Sequence, residues 1–294
     1  MKLFSKTAFD FLGKRRYTLL LSFVLVTLSV GFLFVRAPRW GIDFTGGVLM
    51  HVQFESPAEV QDIRASLEEA GIEDPGIQEL RDTGAFIIRV KQEYATEEGR
   101  RAMEEALSAG VESDGFEILQ TDMVGPAVGA YIRDRAVMAF LLAFAGVIIY
   151  VAWRFKGGIW GFAAVLALIH DVIISFGVLN YLGITIDLPV VAALLTLAGY
   201  SVNDSIVVYD RIRENLKLHY KKPLKDVINM SINGTLSRTV VTSGTTFMVV
   251  LALYLQGGEV LRGFSTALLA GILVGTYSSI FLASPLVYIW YNRR

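Results

Sequence analysis

The feature that most limits this fold is a charge-free run of about 19 residues at 17–35. At 1.5 Å per residue a helix of that length crosses about 30 Å of hydrocarbon. Five further apolar segments follow, at 136–153, 159–181, 188–209, 237–255 and 264–290. With 53% hydrophobic residues over 294, the chain reads as a polytopic α-helical membrane protein of six transmembrane helices. A cleaved signal peptide is the rival reading of the first run. Its apolar core is longer than the usual ~7–15 residues, and Val35-Arg36-Ala37 is a poor small-residue cleavage site. The run is therefore taken as a retained span after a short N-terminus, 1–16.

The segment between the first two spans has a different character. Residues 36–130 hold 19 acids and 8 bases and the rest 9 and 19, so a net charge of −1 hides −11 against +10. That is the signature of an acidic soluble domain set into a basic-flanked membrane core. Alternation predicts strands at 48–54, 76–80, 85–91 and 116–123, the middle two joined by a turn at 81–84. Helical spacing predicts helices at 57–70 and 96–110, with Thr96 as N-cap and Glu97 and Glu98 in the first turn. The order βαββαβ is that of an α+β ferredoxin-like domain. Residues 131–294 then form a five-helix membrane domain.

The basic residues favour one orientation. Lys2, Lys6, Lys14, Arg15, Arg16, Arg154, Lys156, the loop 210–236 and Arg293-Arg294 fall on the same side. The positive-inside rule then puts both termini in the cytoplasm and the acidic domain outside. Residues 216–230 mix charged and apolar positions, which suits a helix lying along the inner surface.

Several functions are excluded. There is no cysteine and only His51, His170 and His219, so disulfides, thiolate chemistry and a histidine metal site are not expected. No catalytic cluster interrupts the domain, and no nucleic-acid signature appears. A non-enzymatic protein without a cofactor is expected.

The chemistry concentrates in the fourth span. It begins as an apolar run and then gains Tyr200, Ser201, Asn203, Asp204 and Ser205. A carboxylate in the bilayer interior costs about 2.5–3.5 kcal/mol even on lenient scales. Thr196, Tyr200, Asn203 and Asp204 share one helical face, and Arg238 at the start of the next apolar segment offers a counter-charge. This is either a proton relay or a static buried ion pair that fixes helix register. Asp171, beside His170 in the third span, either joins a proton path or pairs with a neighbouring helix. Two intramembrane aspartates also permit an aspartyl protease dyad, though neither lies in a Gly-x-Gly-Asp context. Ala267, Gly271, Gly275, Ser279 and Ala283 form a small-residue packing face on the last span. At 41–47, GIDFTGG suits a tight turn into the first strand, its adjacent glycines permitting positive φ.

That GIDFTGG segment, with Gly41, Asp43, Phe44, Gly46 and Gly47, resembles the double-glycine motif of the SecD/SecF family. GYSVNDSIVVYDRIREN from Gly199, with Tyr200, Asn203, Asp204, Asp210 and Arg211, resembles the family's fourth-span signature. INGTLSRT from Ile232 looks like its fifth-span start. The resemblance implies a subunit of the Sec protein-export machinery in the bacterial inner (cytoplasmic) membrane, related to the RND transporters. It further implies partnership with a SecD chain, the SecYEG channel, YajC and unfolded preprotein, within membrane lipid and with the proton gradient as energy source. Asp204 and Arg238 match positions associated with proton passage in the family. Thr242, one turn beyond Arg238, and Asp171 are further candidates for that path. A stand-alone RND-type exporter of a small molecule or lipid is the alternative, and an assembly scaffold needing no proton is another.

Overall fold

The computed structural model describes residues 8–80, 83–111, 115–155 and 158–292. Lys2, Lys6, Arg81, Asp82, Lys156, Arg293 and Arg294, used in the sequence reading, lie outside the described residues. The chain divides into two compact units, one of Met1–Arg39 with Ala139–Arg294, the other Trp40–Met138. In chain order the elements begin with α1 (Arg15–Val35), α2 (Ile42–Thr45), β1 (Gly47–Phe54), α3 (Val60–Glu69), β2 (Gly76–Leu80), β3 (Ala85–Val90) and α4 (Glu97–Gly110). They continue with β4 (Phe116–Val124), α5 (Pro126–Phe155), α6 (Gly158–Tyr181), α7 (Leu188–Leu218), α8 (Leu224–Gln256), α9 (Gly258–Ser278) and α10 (Ser284–Tyr291).

The sheet unit is a split βαβ arrangement. Strand order is β2-β3-β1-β4 with every neighbouring pair antiparallel. Alternation along β1 turns Val48, Met50, Val52 and Phe54 to one face, where Ile63 and Leu67 of α3 and Met103 and Leu107 of α4 cover them. Burying each such side chain contributes about 1.5–3 kcal/mol, enough to set the register. Thr96 caps α4, its Oγ1 accepting from Gly99 N at 3.0 Å. The helix expected from Pro57 starts later, at Val60, with Glu59 in an extended conformation at its cap. Ahead of β1, the single turn α2 ends at Gly46 with φ +73° and Gly47 follows at φ +135°. A Cβ on Gly47 would collide with the Val90 carbonyl oxygen. The double glycine is therefore a steric requirement of strand entrance.

Among the described residues six helical segments are long and apolar enough to cross a membrane: Leu12–Val35, Pro126–Phe155, Gly158–Tyr181, Leu188–Leu218, Leu224–Gln256 and Leu261–Tyr291. In the unit they form, α6 and α7 are the most enclosed, while α1 and α5 are mostly exposed. The last span packs its small residues on α7: Gly271 lies against Leu197, and Gly275 against Ser201. Removing the side chain there lets the two backbones approach.

Three helices overrun the apolar segments that announced them. α5 starts at Pro126, ten residues before the expected 136. α7 continues past 209 to Leu218, and α8 starts at Leu224 rather than 237. No separate surface helix forms over 216–230; those residues end one long helix and begin the next. The hydrogen-bond ladder does not stop where hydrocarbon would, because solvated charged residues such as Arg211, Glu214 and Lys217 are good helix formers. A buried Asn215 Nδ2 to Ser231 Oγ bond of 2.9 Å ties the two helices.

The last span is broken by a π-turn at Ser279–Ala283. Pro285 has no N–H and its ring crowds the Phe281 carbonyl four residues earlier. The carbonyl freed by that break accepts from Thr18 Oγ1 of α1 at 3.3 Å.

Basic segments meet at one end of this unit. Arg154 pairs with Asp210 at 2.7 Å. Asp10 holds Lys225 at 2.7 Å and accepts from Asn229, whose Oδ1 takes the Leu12 N–H. The Lys225 hydrogen bond, with those of Gly13 N–H and Asn229, lowers the Asp10 carboxyl from its ordinary value to about 2.

Candidate functional site

Two carboxylates lie inside the membrane-spanning unit, on either side of the α7–α9 contact. Asp171, on α6, is fully buried. Its Oδ2 accepts from Ser201 Oγ of α7 at 2.5 Å and from Ser278 Oγ of α9 at 2.7 Å. Its Oδ1 lies 2.8 Å from His170 Nδ1. Gly275 lies beside this node, where an added Cβ would stand a tight 3.3 Å from Ser201 Cβ. The His170 ring stacks on Tyr277, centroids 6.3 Å apart at 25°. Tyr277 donates to Thr18 O at 2.7 Å and accepts from Ser22 Oγ at 3.2 Å. One polar node thus joins α1, α6, α7 and α9. Hydrogen bonds to an ionised acceptor are about twice as strong as neutral ones, and nothing in hydrocarbon competes for them.

Asp204 sits one turn further along α7 and is 3% exposed. Its Oδ2 accepts from Ser243 Oγ of α8 at 3.2 Å. Ser243 Oγ lies 2.8 Å from Thr276 Oγ1 of α9, so hydroxyls link Asp204 to two neighbouring helices. The direct Asp204–Arg238 ion pair expected from sequence does not form among the described residues. Arg238 is exposed and acts on Asp204 through its charge alone. The reason is axial: Ser243, the α8 residue level with Asp204, is five residues past Arg238, about 7.5 Å along the helix.

The expected polar stripe is also displaced. Thr196 and Asn203 are exposed and Tyr200 is half-buried; the inward polar residues of this stretch of α7 are Ser201, Asp204 and Ser205. Thr242 bonds back to its own helix, Oγ1 to Arg238 O at 2.9 Å, and does not reach Asp204. Asp210 is engaged by Arg154, and Arg211 pairs with Glu214 at 2.7 Å, both at the basic end. In the double-glycine segment Phe44 is buried with its ring edge-on to Trp40 at 5.8 Å, and the Gly41 carbonyl accepts from Phe44 N at 3.1 Å. Asp43 stands in the first turn of α2.

Sequence reasoning missed Ser243, Thr276 and Ser278, and placed Ser201 in the polar run without giving it a partner. Serine and threonine in apolar spans usually bond to their own helix, so composition gives them no distinction. Only the four-residue spacing of Gly271, Gly275 and Ser279 pointed at the seam where they meet.

Six candidate spans, a split βαβ domain and two hydroxyl-bound carboxylates among the spans define the class: a polytopic helical membrane protein with a sheet domain. Residues 103–293 match the family described as Protein export membrane protein SecD/SecF, C-terminal, and 31–58 match the SecD/SecF GG Motif. The protein translocase subunit SecF of Desulfurispirillum indicum is 42% identical over 292 residues, covering 96% of this chain and 92% of that one. SecF of Escherichia coli O157:H7 is 39% identical over 285 residues, covering 96% and 87%. The crystal structure of SecDF from Thermus thermophilus, described as a translocon-associated membrane protein, superposes with a TM-score of 0.90 at 41% identity. The match covers 100% of this chain and 40% of that one, so the chain spans well under half of SecDF. The chain belongs to the SecD/SecF family, with the SecF subunits of the protein translocase, and is a multi-pass membrane protein.

Proposed function

We propose that this export subunit couples the proton-motive force to late steps of preprotein translocation through SecYEG, in partnership with a SecD chain and with YajC as an accessory. On this reading it sits in the bacterial inner membrane with both termini cytoplasmic and the sheet domain outside. The gathering of basic segments at one end supports that orientation.

The observation that carries the proposal is Asp204, buried where α7, α8 and α9 meet yet held by one side-chain hydroxyl. An ionised Asp204 draws the Ser243 hydroxyl and feels the charge of Arg238. A proton from outside cancels that charge, removes the attraction and permits a second packing of the three helices. One elementary charge crossing 100 mV supplies about 2.3 kcal/mol, a shift of roughly fifty-fold in population. A complete reversal from 1:99 to 99:1 needs about 5.5 kcal/mol, so more than one proton, or an added pH gradient, drives a cycle. Thr242, next to Ser243 in sequence, is kept as a weaker candidate for the same path; its hydroxyl bonds to its own helix. The 40% share of SecDF covered by this chain supports the need for a SecD half.

The test is preprotein export in vesicles carrying the complex, with and without an imposed proton gradient. Asp204→Asn should assemble normally and lose the response to the gradient. An intact response in that variant refutes the coupling role.

A further inference from the structure

The mechanism above leaves the Asp171 node unused, and that node contains an unfinished arrangement. His170 is buried, and its Nε2 has no hydrogen-bond partner among the described residues. Its other nitrogen is fixed: Nδ1 lies 2.8 Å from Asp171 Oδ1. When Asp171 is ionised it offers only lone pairs, so Nδ1 donates to it and Nε2 presents a bare lone pair to the membrane interior. Asp171 cannot turn away, because Ser201 and Ser278 hold its other oxygen. The ring cannot tilt freely either, since Tyr277 stacks on it and is itself anchored to α1. A buried polar atom left unpaired is costly in hydrocarbon, and evolution rarely orients one this firmly without use.

We propose that His170 Nε2 is a second proton-holding site of the membrane unit, with Asp171 as the positioning residue that fixes its tautomer and stabilises its charged form. Histidine is the side chain best suited to exchanging a proton near neutral pH. The step balances simply: the Nε2 lone pair takes H⁺ from an incoming hydronium ion, which leaves as water, His170 becomes an imidazolium, and the Asp171 carboxylate offsets the new charge without itself changing protonation. The groups packed on the pair are Ser201 of α7, and Tyr277 and Ser278 of α9, with Thr18 and Ser22 of α1 behind Tyr277. Asp171 is the charged partner of His170 among the described residues. Two ionic nodes flanking the same α7–α9 seam supply the more-than-one proton that a full switch requires. This inference rests on the proton-coupling reading but not on Asp204.

The experiment is nitrogen-15 resonance of histidine-labelled protein in its complex with the SecD chain in lipid vesicles. His51, His170 and His219 give three imidazole signals, and the one lost in His170→Gln identifies the site. On acidification the His170 Nε2 signal should pass from bare to protonated nitrogen while Nδ1 stays protonated. In Asp171→Asn the same signals should report a different tautomer mixture, which a merely structural pairing would not produce. His170→Gln, with Asp204 intact, should lower gradient-driven export several-fold. A His170 that stays in one neutral tautomer throughout, or a His170→Gln variant that exports like wild type, overturns the proposal. A titrating His170 with export that ignores Asp204→Asn would sink the earlier reading and leave this one standing.

Discussion

Asp171 and Asp204 are carboxylates of similar burial in the same bundle, and they differ in how many groups hold them. Asp171 has hydroxyls from two other helices and an imidazole from its own; Asp204 has one serine hydroxyl at a longer distance. A carboxylate offers about four acceptor positions. Asp171 has three of these filled, so its carboxyl is anchored in place. Asp204 is nearly bare, so gaining or losing a proton alters what it attracts. The lesson is that burial alone does not mark a switch; the number of hydrogen bonds decides whether a buried charge acts as an anchor or a moving part.

The sharpest attempt to break this comparison is Asp171→Leu, which strands three donors in a low-dielectric core. It should cost on the order of 3–5 kcal/mol, read as a lower melting temperature in detergent. A near-wild-type melting temperature would remove the anchor role. Ser243→Ala takes away the one hydroxyl bound to Asp204 and should cost less, about 1–3 kcal/mol, while changing gradient-driven export. Asp204→Asn keeps the shape and should move stability by less than about 1 kcal/mol, because an amide oxygen still accepts from Ser243. If it destabilises as much as Asp171→Leu, the two nodes are equivalent and the comparison fails.

The smallest effect lies at Asp10, outside the spans. Its folded carboxyl titrates near 2, below the ordinary carboxylate value, because Lys225, Gly13 and Asn229 stabilise the charged form. A depressed value means the hold is complete above about pH 4 and fades as pH falls through 2. Hydrogen exchange at the Leu12 amide, which donates to Asn229, should therefore speed up only under strong acid. Exchange that accelerates already near pH 6 would point to another group.

Much of the architecture was legible because two periodicities do most of the work. Val48 to Phe54 alternate and form β1, and the uncharged run before Arg36 forms α1. Thr96 announced its cap by residue type alone. The helix ends at 126, 218 and 224 were not legible, since hydropathy sees where lipid stops and not where the backbone ladder does. At the site, Asp204 stood out because a carboxylate in an apolar run is rare. Its partner was misread by five residues: a guanidinium attracts attention that Ser243 does not. Ser278 lies one turn past Gly275 in the regular part of α9 and went unnoticed because a serine in an apolar span carries no distinction by residue type.

The central claim is that Asp204 is the carboxyl whose proton moves the helices. Proton flux through vesicles containing the complex, measured for wild type and for Asp204→Asn, tests it most directly. The account predicts that the variant assembles and the flux collapses toward that of empty vesicles. Flux undiminished in an assembled Asp204→Asn complex would contradict it.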